Sequence, residues 1–194
     1  MLRAARVIES GMASTIRVAV IGAGRPWRTE GATGFGMSHR HWIGFKSTGR
    51  AELVGVCDLV EERARAYAAD HDPKARTYTD FKAMLEKERP DYVCVSLWPH
   101  LHASTVKALV PFKPKGIVCE KPMDMDWDGA LAMHAACAAA GVGLMINHQR
   151  RFNKPFGEAK RLIESGAIGK LARLDSAWHN FQDSGTHVLD MLFN

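Results

Sequence analysis

Long apolar runs are missing from this 194-residue chain: none approaches the roughly 18 consecutive apolar residues of a membrane-spanning helix, although 46% of the residues are hydrophobic. The N-terminus, MLRAARVIESGMAST, has no apolar centre of the kind a secretory signal needs. Cysteine is scarce as well. Cys57, Cys94, Cys119 and Cys137 stand far apart with no CxxC, which excludes the common zinc and disulfide frameworks and suits small buried thiols in a reducing compartment. The formal net charge is +5, but Lys and Arg are scattered singly, with no basic stripe and interleaved aromatics to suggest a nucleic acid. No internal repeat or low-complexity tract is visible. These absences lead to the expectation of a soluble, cytoplasmic globular protein with neither a nucleic-acid nor a membrane partner.

Apolar residues gather instead in six short β-rich runs: IRVAVI (16–21), AELVGVC (51–57), ARTYT (75–79), DYVCVS (91–96), GIVCE (116–120) and VGLMIN (142–147). Most are continuous rather than alternating, the pattern of parallel strands covered on both faces. Helical patterns separate them at 38–46, 61–70, 80–88, 102–110 and 127–140. This alternation predicts an α/β fold with a doubly wound parallel sheet. Beyond Asn147 the rhythm changes to a helix (PFGEAKRLIESG), a strand-like LARLDSAWHN (171–180) and a final helical SGTHVLDMLFN, which reads as the start of a second domain. The expected division is 1–15 as a disordered or leader tail, 16–148 as a nucleotide-binding domain and 149–194 as a partial α/β domain.

A dinucleotide phosphate needs a strand that ends in a tight glycine turn and feeds a helix N-terminus, where free N–H groups and the helix dipole attract the anion. The stretch VAVIGAGRPWRTEGATGFG, residues 18–36, holds two candidates. VAVIGAG supplies a strand and a turn with Gly22 and Gly24, whereas GATGFG follows RPWRTE, which cannot be a buried strand. Asp58, at the end of the second run, has the acidic character wanted for the ribose hydroxyls, yet it lies 34 residues beyond Gly24 instead of about 20. An insertion reconciles these facts: Gly22 and Gly24 make the turn, 25–35 loop out, and the helix begins near Gly36 with Ser38 as a candidate cap. Arg25 or Arg28 either reaches the pyrophosphate or lies on a solvated loop. The Asp58 carboxylate would repel a 2′-phosphate, so NAD is the expected cofactor, with NADP the alternative.

Further motifs add specificity. VIGAG in the first strand and turn, GVCDL at the second strand, SLWPHLHASTVKAL after the fourth, CEKPM (119–123) after the fifth, INHQRRFNKPFGEAKRLIESGAIGKL beyond the sixth and DSGTHVLDML near the end follow one another in order. In these the chain resembles the glucose-fructose oxidoreductase, inositol dehydrogenase and rhizopine catabolism family (Gfo/Idh/MocA). The resemblance implies a nicotinamide-binding Rossmann domain followed by an α/β domain with an open sheet. It places the family's catalytic lysine on Lys121 and its Asp-x-x-x-His pair on Asp183 and His187. It also puts Pro99, His102, Glu120 and Lys121 on the cofactor side, Arg150 and Arg151 near the substrate, and a cis bond before Pro122. The HLH pair, His100 and His102, has no third ligand placed to join it, so no metal is expected.

The residue types suit alcohol oxidation. Asp183 and His187 are four apart and share one face if the segment is helical through both. His187 suits a base for the hydroxyl proton near neutrality, Lys121 a cation that binds the substrate oxygen, and Asp183 a group that orients substrate or imidazole. The expected function is an NAD(P)-dependent oxidoreductase acting on a hydroxyl of a sugar, cyclitol or related polyol. Two alternatives stand beside it: an NAD-dependent glycosidase of the same family, or a cofactor-binding module without catalysis. Family members run considerably longer than this chain, so an exposed sheet edge and apolar face are expected, covered in a homo-oligomer or in a longer gene product.

Overall fold

The computed structural model describes residues 14–24, 36–177 and 185–193. Six strands, β1 (Ile16–Ile21), β2 (Ala51–Cys57), β3 (Arg76–Tyr78), β4 (Tyr92–Val95), β5 (Gly116–Cys119) and β6 (Gly143–Ile146), form one parallel sheet in the order β3-β2-β1-β4-β5-β6. Helices α1 (Met37–Lys46), α2 (Glu61–His71), α3 (Phe81–Glu88), α4 (His102–Leu109) and α5 (Trp127–Ala140) alternate with them, and α6 (Lys154–Glu164) and α7 (Thr186–Phe193) follow.

Continuous apolar strands are explained by two cores, one on each side of the sheet. Val18 and Val20 point to the face where Trp42, Ala64 and Tyr67 of α1 and α2 pack. Ala19 and Ile21 point to the other, against Met84, Val106, Leu109 and Met133 of α3, α4 and α5. Strand alternation therefore splits one hydrophobic run between two cores. Gly55 of β2 makes room on the second face, since a Cβ there would lie 2.8 Å from the Met84 sulfur. Local signals set the helix ends: Asp80 caps α3 by accepting from Lys82 N at 2.8 Å, Asp126 caps α5 by accepting from Gly129 N at 2.7 Å, and Gly141 ends α5 in the left-handed region.

The strand order reverses between β1 and β4, where the chain leaves the sheet in opposite directions and opens a crevice at the strand C-termini. Three sequence expectations change here. Ser38 does not cap α1; Gly36 occupies the cap position with φ 56°, and the Ser38 hydroxyl reaches back to Ala23 O at 2.9 Å. β3 is shorter than expected, three residues long. The strand expected at 171–180 is not formed over 171–177, and the remainder lies outside the described residues; no described strand runs beside it to supply a ladder, and a lone strand is not stable. β6 ends the sheet with Met145 44% exposed, and Leu171, Leu174 and Ile168 are also exposed, so apolar surface is open as expected.

Replacing Gly55 by valine should destabilise the fold by about 1–3 kcal/mol through the clash with Met84. Met84→Ala in the same chain should recover part of that loss, because the two changes share one space; urea denaturation of both variants and the pair measures it.

Candidate active site

Gly22 leaves β1 with φ 86°, and a Cβ there would lie 2.4 Å from Ser96 O at the exit of β4. Only a residue without a side chain lets these two exits come so close. Gly24 follows with φ 72° and donates its N–H to Asp58 Oδ2 at 3.3 Å, while Asp58 Oδ1 accepts from Val60 N at 2.9 Å. The end of β2 thus places a carboxylate beside the glycine turn. The N-terminus of α1 is tied to the same turn through Ser38 and Ala23. At the exit of β4, the Ser96 hydroxyl is buried and has no hydrogen-bond partner among the described residues, and Pro99 opens the short 3-10 turn that leads into α4. A narrow glycine cradle, the N-terminus of a helix, a carboxylate beside the turn and a buried hydroxyl together fit a dinucleotide.

β5 delivers the next group. Glu120, 8% exposed, accepts at one oxygen from His41 Nε2 at 2.8 Å and from Asn147 Nδ2 at 2.6 Å. Burial pushes its carboxyl up, but these hydrogen bonds, the His41 charge and the Lys121 backbone outweigh it and hold the group below the ordinary glutamate range. Lys121 comes next, followed by a cis bond to Pro122. His102 is fully buried, with Nδ1 2.7 Å from Pro122 O and Nε2 3.0 Å from Leu97 O. It pins the β4 and β5 exits together, so its part is to position the crevice walls.

β6 is followed by Asn147 and His148, and the turn Gln149–Phe152 carries Arg150 and Arg151 towards α7. Arg151, expected near a substrate, is held by Asp190: its Nε donates to Oδ2 at 2.7 Å and a terminal nitrogen donates to Oδ1. Burial raises the Asp190 carboxyl, but Arg151 and then His148 and His187 bring it below its ordinary value. His187, on the first turn of α7, is 5% exposed and meets the His148 ring edge to face. Burial, then the charges of Lys121, His148 and Arg150, hold His187 below the ordinary imidazole range against a smaller upward pull from Glu120. Lys121 and Arg150 therefore lie within electrostatic reach of the His187 ring.

Lys121, Glu120, His187 and Arg150 are thus brought together, with Gly22, Gly24, Asp58 and Pro99 along the adjoining crevice. Arg25 and Asp183 lie outside the described residues. His41, Ser96, Asn147, His148 and Asp190 were not singled out from sequence. All four cysteines are buried, and burial pushes Cys57 and Cys94 up to about 12, so these thiols are poor nucleophiles. Among the described residues no group of three His, Cys, Asp or Glu side chains is placed to hold a metal, and no helix is long and apolar enough to cross a membrane.

Sheet order, glycine turn and acidic β2 end define the class as a dinucleotide-binding α/β protein. The family described as oxidoreductase family, NAD-binding Rossmann fold matches residues 16–148, more than half of the chain, and the chain belongs to that family, the one its motifs resemble. It is 34% identical to the D-apiose dehydrogenase of Paraburkholderia graminis over 132 residues, 68% of this chain and 35% of that protein. It is 28% identical to the inositol 2-dehydrogenase of Ralstonia nicotianae over 179 residues, 91% of this chain and 50% of that one. The WlbA dehydrogenase of Bordetella pertussis, solved in complex with NADH and UDP-GlcNAcA, superposes with a TM-score of 0.75 at 27% identity, covering 92% of this chain and 57% of the other. The chain spans about half the length of such relatives, or less.

Asp190 has a depressed carboxyl, so the stability it contributes is fully present above its ordinary value of 3.8 and is lost as pH falls through its folded value. Arg151→Met should therefore cost about 1–2 kcal/mol at pH 7, less than a fully buried pair because the guanidinium is partly exposed. That deficit should shrink as the pH is taken below 4, which urea midpoints of the two proteins across pH will show.

Proposed function

We propose that this chain carries the cofactor and catalytic half of an NAD-dependent oxidoreductase acting on a hydroxyl of a sugar, cyclitol or related polyol. The observation that carries the reading is the convergence of Lys121 and the buried His187 at the strand ends that also hold Gly22, Gly24 and Asp58. Bound NAD would supply the hydride acceptor. The turn at Gly22 and Gly24 and the N-terminus of α1 would hold its pyrophosphate, and Asp58 its adenosine ribose. Asp58 disfavours NADP by repulsion.

His187, kept neutral at pH 7, accepts the proton of the substrate hydroxyl, while the Lys121 ammonium binds the same oxygen and stabilises the negative charge that develops on it. Glu120 fixes the backbone from which Lys121 projects. Arg150 belongs to the substrate side, and Asp183 is assigned there from its place in the family motif alone. The relatives named for D-apiose and inositol support a polyol as the substrate class. We also read 16–148 as the cofactor domain, 149–194 as part of the substrate domain, and the working protein as a cytoplasmic homo-oligomer.

Calorimetric titration should show NAD binding more tightly than NADP, with the order narrowed or reversed in Asp58→Ala. On a panel of polyols, Lys121→Ala and His187→Ala should each lower kcat by about 10²–10⁴-fold and leave NAD affinity nearly intact; full turnover in either variant would refute the assignment. Oxidation needs His187 neutral, so kcat/KM should climb with pH through an acid limb lying below the ordinary imidazole value of 6.5.

A further inference from the structure

Two imidazoles share this site, and only one has a role in the reading above. His148, just past β6, and His187, on α7, stand with ring centroids 5.5 Å apart and planes at 86°. Lys121 and Glu120 face them from the exit of β5, Arg150 and Arg151 from the turn after β6, and Asp190 from the next turn of α7. The two carboxylates are not equivalent. Glu120 is engaged by His41 and Asn147; Asp190, held by Arg151 at both oxygens, keeps Oδ2 3.9 Å from His148 Nδ1. Two rings this close, already beside Lys121 and Arg150, resist becoming doubly charged, so they take up protons in two separate steps that belong to the pair. The ring that faces Asp190 is the better host for the first.

We propose that His148 is a positioning residue for His187: set against Asp190, it takes the first proton that the pair accepts and leaves His187 as the neutral base. The catalytic consequence rests on the oxidoreductase reading; the distribution of the proton does not. Acidification then charges His148 first, and that charge holds the second proton off His187. The clamp of Arg151 on Asp190 keeps the carboxylate on the His148 side of the pair.

The test is an NMR titration of the imidazoles of the whole chain, followed through their side-chain carbon and nitrogen shifts, with His148→Phe and His148→Gln beside the parent protein. Phenylalanine keeps an edge-to-face ring and removes the titrating nitrogens. In the parent, His148 should titrate at higher pH than His187; in both variants the His187 midpoint should move up, since a like-charged neighbour has gone. The acid limb of kcat/KM for polyol oxidation should move up with it, while KM for NAD stays unchanged. A parent protein in which His187 takes the first proton, or variants in which its midpoint does not move, would overturn the proposal. Midpoints that behave as expected in a protein that oxidises no polyol would uphold the proton distribution and sink the dehydrogenase reading instead. Turnover with an unmoved His187 midpoint would do the reverse.

Discussion

A carboxylate withdrawn from water must be matched by donors, because a buried and unmatched charge costs several kcal/mol. Glu120 meets that requirement with two hydrogen bonds from different parts of the fold: His41 on α1 and Asn147 at the end of β6. The residue itself leaves β5. One oxygen therefore ties together the helix that starts beside the glycine turn, the strand that delivers Lys121, and the strand that leads to His148. Lys121 is the next residue along, so its position follows from how firmly its neighbour is held. The same negative charge is felt at both His148 and His187, where it opposes part of the lysine's effect.

Much of the nucleotide-binding half could be read from the residues in order. Continuous runs such as IRVAVI and AELVGVC could only be strands buried on both faces, and the structure divides them between two cores. The glycine turn, the acidic end of β2 and the start of α1 at Gly36 follow from backbone chemistry that short stretches carry within themselves. His41 escapes such a reading because nothing in MSHRHWIGFK tells which of its two histidines turns to the crevice; His39 pairs with His71 at 2.6 Å, and His41 finds a glutamate 79 residues away. Asp190 and His148 are likewise defined by partners distant in sequence. The strand-like LARLDSAWHN carried a valid local preference, but pairing decides strands, and 171–177 have no described neighbour to pair with.

The site spans parts of the molecule that are held in different ways. Gly22, Ser96 and Glu120 sit at the exits of strands locked into two cores. His187 rides on α7, which among the described residues is linked to the turn after β6 by the Arg151–Asp190 ion pair and to His148 by a ring contact. On the side of α7 towards α6 lies a groove of about 420 Å³ lined by Phe156, Ile163, Leu171, Leu174, Val188 and Leu192. Elements with few core contacts open at lower free energy than core strands. Alignment of the imidazole accordingly depends on α7, while the glycine cradle is built on core strands.

The hydrogen bond from Ser38 to Ala23 fastens the start of α1 to the glycine turn without using any residue between 25 and 35. Closing a longer chain between fixed points adds only slowly to the entropic cost of folding. Mutation and selection can thus lengthen, shorten or rewrite that connection while strand, turn and helix keep their places.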